Sequence, residues 1–560
     1  MLRLPSSTRD AIFVTGVVFL SLVSYAPRLG FYSDDWAFLG MYATAAKQTV
    51  GGFYEASYSP QHAMRPVQLW LCAVLYRMFG MEPAAYHWVN AAFVVLNPLL
   101  VYLLGRAIQA PRPIALAVAL IYGLHPGYST DRYWYVAFAI TFSMTACLAS
   151  LYADVRAVTA RTAGALLWKA AAAFALVVSV LAYEVSMPLL LVLAPILIGW
   201  QVWRHRAAIT RGRIRLVAAL FVVNILLLGS VAVFKVKTTV RLGAEGGVRA
   251  QVGAIARHAI RTDLPRGEYG LNIANAVRVH FVEYGAQLLP NAIVLGRTAS
   301  PAVRALAVLA MAAIFGYLLL ALRGADWPSM PAWMALVAAG LVTFGLGYAI
   351  FVTNYNVQFT TTGIANRSAI AAALGAAMCL AGLSGGVASL LMPRRRAIVF
   401  AATVAVTASS GFLIVNAVAE QWVQAFAAER DVLAGIRSRF ATLPANATLL
   451  LDGVCPYVGS AIVFEANWDL TGALQVSYGT RGVSADVVTR RMTAGDAAIT
   501  VTIYGQPTRY PYSDTLFAYH APTGVVQTLA DAATARAWLS RSLAASSCPA
   551  GHEGIGVEPF

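Results

Sequence analysis

The chain has 560 residues, of which 59% are hydrophobic and only 12% charged, with a mean hydropathy of +0.65. Soluble globular proteins carry about 25% charged residues, so this chain lacks the charge to cover a water-facing surface. Its net charge of +16 would suggest nucleic acid in a soluble protein. Here short loops hold much of that charge, as membrane topology requires, and no nucleic-acid partner is expected.

Repeated apolar runs, each long enough as a helix to match a bilayer, predict a polytopic α-helical membrane protein with about 11 transmembrane helices. The first run, 11–30, follows Arg3 and Arg9. It exceeds a typical signal-peptide core and lacks a small-residue cleavage site before Phe31, so it reads as a retained signal anchor. Further spans are predicted at 84–106, 113–128, 133–155, 165–183, 185–203, 215–234, 301–322, 332–353, 368–391 and 397–417.

Charge sets the orientation. With the N-terminus in the cytoplasm, inside ends carry Arg106, Arg112, Arg156, Arg161, Lys169, Arg204, Arg206, Arg211, Arg213, Arg215, Arg323 and Arg394 to Arg396. The short outside loops are nearly free of Lys and Arg, as the positive-inside rule asks. An odd number of spans then leaves the C-terminal part outside, periplasmic if the membrane is a bacterial inner membrane.

Residues 1–417 thus form a transmembrane domain and 418–560 a soluble, mixed α/β extracytoplasmic domain. Within the first, 31–83 is an outer loop in which "PVQLWLCAVLYRMFG" lies along the interface as a helix. Residues 235–300 form a basic outer loop, where Lys235, Lys237 and Arg241 hold either donor phosphate or anionic membrane lipids. In the second domain, "ATLLL", "AIVFEA", "AITVTIYG" and "TLFAYHA" read as strands. "DAATARAWLSRSL" reads as a helix capped by Asp531. Of five cysteines, Cys72, Cys147 and Cys379 lie in apolar stretches as small core residues, and Cys455 and Cys548 are candidates for a disulfide.

The polar residues outside the spans collect on the outer face. "FYSDDWAFLG" brings Asp34 and Asp35, followed by Arg65. "LHPGYSTDRYWY" brings His125, Asp131 and Arg132 between spans three and four. Glu184 marks the turn between spans five and six, His280 belongs to the basic loop, and Asn366 and Arg367 precede span ten. Charges that stop at the membrane boundary suit a water-accessible hollow better than a transport path through the midplane. The chemistry this set fits is group transfer from a lipid phosphate. Arg and Lys stabilise the charge developing on a departing phosphate, and a carboxylate takes the proton of an attacking hydroxyl. One carboxylate opposite a cationic pocket suffices for a single-displacement, inverting sugar transfer.

The order of these motifs resembles a known family. "YSDDW", "RP" before an interfacial helix ending "FG", "YHWVNAAFVVLNPLLVYLLGR", "LHP" and Glu184 are similar to the opening of the GT-C superfamily, integral-membrane glycosyltransferases that use polyprenyl-phosphate-linked sugars. These include protein O-mannosyltransferases and the aminoarabinose transferases that modify lipid A. The resemblance is clearest over 11–205, and family members often have "SKE" where this chain reads "AYEVS". It implies a GT-C-like fold, a polyprenyl-phosphate sugar as donor, and a glycan, lipid or protein acceptor. The family's catalytic acid maps onto the Asp34/Asp35 pair, with Asp34 favoured as base and Asp35 as its partner or contact for a divalent cation, which some members need. Arg65, His125, Arg132, Glu184, Lys235, Lys237, His280 and Arg367 are expected to bind substrate or phosphate. Two rivals are an O-antigen ligase or polymerase, which would depend on Arg and His within 235–300, and a lipid-linked sugar flippase, which would survive loss of both aspartates.

Overall fold

The computed structural model describes residues 5–59, 62–206, 211–243, 266–324, 326–352, 359–503, 506–545 and 548. Among them, ten helices are long and apolar enough to cross a membrane. Helix α1 (Ser6–Val23) is followed by α2 (Asp34–Ala43), α3 (Val50–Ser57) and α4 (Pro66–Phe79). Next come α5 (Pro83–Ala107), α6 (Arg112–Leu124), α7 (Thr130–Tyr133), α8 (Phe138–Thr159), α9 (Thr162–Ala182), α10 (Met187–Arg204) and α11 (Arg211–Gly243). Helices α12 (Arg266–Val277) and α13 (Leu288–Gly296) flank a π-helical stretch, Arg278–Ala286. Four long helices complete this part: α14 (Pro301–Leu322), α15 (Met330–Val352), α16 (Ile370–Ser389) and α17 (Pro393–Arg439). Pro66, Pro83, Pro301 and Pro393 open their helices, where a missing N–H leaves no bond unmade.

Nearly every expected span has its helix, and the third is the exception. Helix α6 has 13 residues, about 20 Å of rise, against a hydrocarbon layer of about 30 Å. Pro126 ends it, and a short 3-10 turn and α7 continue the chain. Together these pieces run the length of α5. A Cβ on Gly105 of α5 would meet Ala115 at 3.3 Å, and one on Gly123 would lie 2.7 Å from Val18 and 3.0 Å from Pro98, midway along α1 and α5. At the far end His87 of α5 bonds the Gly30 carbonyl at 2.8 Å, and the Val136 N–H donates to Asp35 at 2.8 Å. Every residue from 113 to 141 is buried. Irregular backbone at such depth is stable only when protein covers it. The stretch "LHPGYSTDRYWY", expected as an outer loop, is therefore interior.

Three other expectations shift. Lys169, expected at a cytoplasmic end, is buried in α9, where it donates to Asp154 at 2.7 Å and Asn224 at 2.5 Å. The basic stretch after 235 is largely helical, since α11 runs on to Gly243; residues 244–265 and the side chain of Arg241 lie outside the described residues. Helix α17 spans 47 residues, about 70 Å, without a break at 417, so the proposed boundary falls inside one helix. Helix α4, expected along the interface, exposes an apolar stripe at Trp70, Val74 and Met78, four residues apart.

Beyond α17 the chain forms strands β1 (Ala447–Asp452), β2 (Tyr457–Val458), β3 (Ala461–Ile462), β4 (Val483–Val487), β5 (Met492–Ala494), β6 (Ala498–Ile503), β7 (Gln506–Pro511), β8 (Leu516–His520) and β9 (Val525–Thr528). Helix α18 (Asn467–Tyr478) lies between β3 and β4, and α19 (Ala532–Ala545) closes the domain. The main sheet has the order β4-β1-β8-β9, with β1 parallel to both neighbours and β9 antiparallel to β8. β1, α18 and β4 thus make a βαβ unit, and β5-β6-β7 form a second, antiparallel sheet. Asp531 caps α19 as expected, accepting from Thr534 N–H at 2.8 Å. "AIVFEA" is strand only at Ala461–Ile462. Cys455 and Cys548 form a disulfide, Cα–Cα 5.4 Å, and Cys72, Cys147 and Cys379 are free and buried.

Candidate functional site

The aspartate pair divides its labour at the backbone. Tyr32 to Asp35 make a tight turn closed by the Asp35 N–H on the Tyr32 carbonyl at 2.9 Å. Ser33 sits at φ 46°, ψ −118°, the region of the first central residue of a type II′ turn, where glycine is usual. Asp35 is fully buried and accepts from Tyr32 N–H at 2.9 Å and Val136 N–H at 2.8 Å. One oxygen thus closes the turn on itself and the other ties it to the segment before α8, where Trp134 adds a bond to the Tyr32 carbonyl at 3.0 Å. Asp35, expected as a second catalytic group, has both oxygens engaged by backbone N–H groups. It also fits a divalent cation poorly. Among the described residues no group of three or more His, Cys, Asp and Glu is placed to hold a metal ion.

Asp34 is different. It opens α2, half-buried, and among the described residues its carboxylate has no hydrogen bond or ion pair. Burial pushes its pKa above the ordinary value, and Arg367 pulls it part of the way back. Arg367 is itself half-buried, stacked 4.6 Å over the Trp134 ring, and its guanidinium likewise has no hydrogen bond or ion pair among the described residues. Its neighbour Asn366 fixes the loop. The Asn366 side chain accepts from Thr130 N–H at 3.1 Å and donates to the Thr361 carbonyl at 2.7 Å. The segments around 33, 131 and 367 are thereby bound into one unit. Asp131, also buried, has no hydrogen-bond partner for either oxygen among the described residues; Arg367 and Arg132 are the cations that bear on it.

A carboxylate from the soluble domain joins them. Glu465 accepts from Ser33 Oγ at 2.7 Å and from the Tyr457 hydroxyl at 2.6 Å, and Trp468 Nε1 donates to Ser33 Oγ at 3.5 Å. Asp34 and Arg367 both bear on Glu465, whose pKa burial raises. The sequence reading missed this residue by taking 461–466 as one strand. No local signal marks it, since Glu465 follows β3, a two-residue strand paired antiparallel with β2.

The remaining expected residues are held elsewhere. Arg65 closes on Glu184 with two bonds, 3.1 and 2.5 Å, and stacks 3.9 Å over Tyr183. Lys235 adds 3.2 Å to Glu184 and 2.9 Å to the Met64 carbonyl. This cluster flanks the same side of α2 as Asp34. Phe38, one turn from Asp34, lies 5.0 Å from the ring of His62, beside Arg65. Lys237 is exposed. Arg132 was expected to hold phosphate. Instead it donates to the Gly123 carbonyl at 2.6 Å and sits over Tyr128, capping the carboxyl end of α6 inside the protein. His125 accepts from Gly127 N–H at 2.9 Å, and His280 pairs with the Tyr348 hydroxyl at 2.7 Å; their rings lie 5.2 Å apart and both are buried.

The site thus joins a carboxylate and a guanidinium that bear on each other and have no hydrogen bond or ion pair among the described residues, with further carboxylates around them. Comparison with known proteins adds a distant likeness. ArnT from Cupriavidus metallidurans bound to undecaprenyl phosphate matches at a TM-score of 0.38 and 14% identity, over 86% of this chain and 90% of that one. The archaeal oligosaccharyltransferase AglB from Archaeoglobus fulgidus, in complex with an inhibitory peptide and a dolichol-phosphate, matches at 0.40 and 14%, over 85% of this chain and 63% of that one. No family model matches the chain, and no curated relative matches it in sequence. Likeness at this level carries no argument, and function is argued from the site itself.

Proposed function

We propose that the chain is an inverting glycosyltransferase of the GT-C kind, moving a sugar from a polyprenyl phosphate to an acceptor hydroxyl at the outer face of a bacterial inner membrane. The acceptor oxygen attacks the anomeric carbon while Asp34 takes its proton. The bond from that carbon to the phosphate oxygen breaks, and the electron pair leaves on the phosphate, where Arg367 meets the new charge. A phosphate leaves without protonation, so no second acid is needed. The observation that carries this reading is the open pair: Asp34 and Arg367 bear on each other, yet neither is bonded to any described residue. A base must be free to accept a proton, and a phosphate-binding guanidinium must be free to donate. The disulfide supports an oxidising compartment for the C-terminal domain. Lys237, exposed on α11, suits the anionic part of a lipid donor.

The test is Asp34→Asn, with membrane insertion confirmed and the mass of surface glycans read for loss of a sugar. Loss of the sugar supports the reading. Unchanged modification by a normally inserted variant rejects it, and with it Asp34 as base.

A further inference from the structure

The base stands on a backbone position that the membrane helices do not secure by themselves. Ser33, the residue before Asp34, holds a conformation that favours glycine, and its hydroxyl bonds Glu465 of the soluble domain. Helix α18, two residues further on, packs closely on α2. A Cβ on Gly472 would lie 2.1 Å from the Trp36 carbonyl oxygen, and one on Gly40 would lie 2.7 Å from Gly472 Cα. Only glycine on both sides lets the two helices approach so closely. Glu465 is itself anchored by Tyr457, and its N–H donates to Asp469 at 2.7 Å.

We infer that Glu465 is a positioning residue of the Asp34 site: through Ser33 it fixes the turn from which the base projects, so the soluble domain completes the site. This rests on Asp34 being the base. Asp34 in turn bears on Glu465 and, with burial, raises its proton affinity. The charged groups around the base are Arg367 from the segment before α16, Asp35 beside it, and Glu465 from the β3–α18 connection. Asp131 and Arg132 stand behind Arg367, with Glu429 of α17 near Asp35 and Asp469 near Glu465. Among the carboxylates, Glu465 is the one tied to Asp34 through its neighbour's side chain.

The experiment uses the full chain in proteoliposomes. A total lipid extract of the source cells serves as donor, and envelope glycan from cells lacking the protein serves as acceptor. Glu465→Gln keeps an oxygen for Ser33 but not the charge. It recovers most of the rate that removal of the side chain loses, because the bond to Ser33 is kept. Glu465→Ala loses the tie as well and slows transfer by roughly a hundredfold, the scale of a small misplacement of a reacting group. Ser33→Gly relaxes the turn and removes the hydroxyl, so adding Glu465→Ala to it costs far less than in the parent, a non-additivity that marks action through Ser33. A Glu465→Gln variant as slow as Glu465→Ala, or full additivity in the double variant, overturns the inference. Asp34→Asn is run alongside. If it keeps its activity, the base assignment has failed; if it is dead while Glu465→Ala matches the parent in rate, only the role of Glu465 has failed.

Discussion

Two ionic groups border the same side of α2 and could hardly differ more. Around Glu184 every charge is answered: Arg65 grips it with two bonds and Lys235 adds a third. Around Arg367 none is: Asp34, Asp131 and the guanidinium bear on one another without one direct bond among the described residues. A closed cluster has spent its hydrogen-bonding capacity on holding helices together. An open one keeps that capacity for something else, at the cost of leaving polar groups half-satisfied in a buried place. Residue type does not separate the two, since both are Arg with carboxylates at comparable depth. Only their partners do.

The comparison breaks if the open set proves silent. Asp34→Asn should carry the largest effect, a loss of roughly 100- to 10,000-fold in transfer, the usual worth of a general base; initial rates per inserted protein measure it. Arg367→Ala should follow at roughly 100- to 1,000-fold, the scale for a donor aimed at developing charge, with Arg367→Lys recovering part of it. The pH profile sharpens the same contrast. Burial raises the Asp34 pKa and Arg367 opposes that rise, so the base works above its folded pKa and fails as pH falls through it. Without Arg367 the acidic limb should move to higher pH.

Asp35→Ala should act on stability instead. It leaves the N–H groups of Tyr32 and Val136 without their acceptor, each costing about 1–3 kcal/mol, read as a lower thermal midpoint in detergent. Smallest should be Glu184→Gln. The pair it breaks is partly exposed and worth about 1 kcal/mol or less, so transfer should stay within about tenfold of the parent. A collapse of activity in that variant would erase the distinction between closed and open sets.

Much of the membrane part was legible because hydropathy is local. A run of apolar residues long enough to span declares itself without reference to the rest of the chain, as α5, α14 and α15 do. The third span misled because 113–128 is apolar enough, while what happens after Pro126 depends on neighbours willing to bury an irregular backbone. Of the site, Asp34 and Arg367 were readable as outer-face charges, but their openness was not. Arg132 and His125 looked equally exposed and turned out to be interior fasteners.

What the sequence by itself determined is the class of molecule: a polytopic helical protein with a mixed α/β C-terminal part and an aspartate pair after its first apolar run. Periodicity and hydropathy act over a few residues, and the free energy of burying them is nearly independent of distant contacts. The tertiary structure decided which aspartate lacks a bond among the described residues, which arginine bears on it, and that Glu465, more than four hundred positions along the chain, bonds the residue beside it. Those facts are pairings between remote segments. A charge is spent or available only when its partners are known.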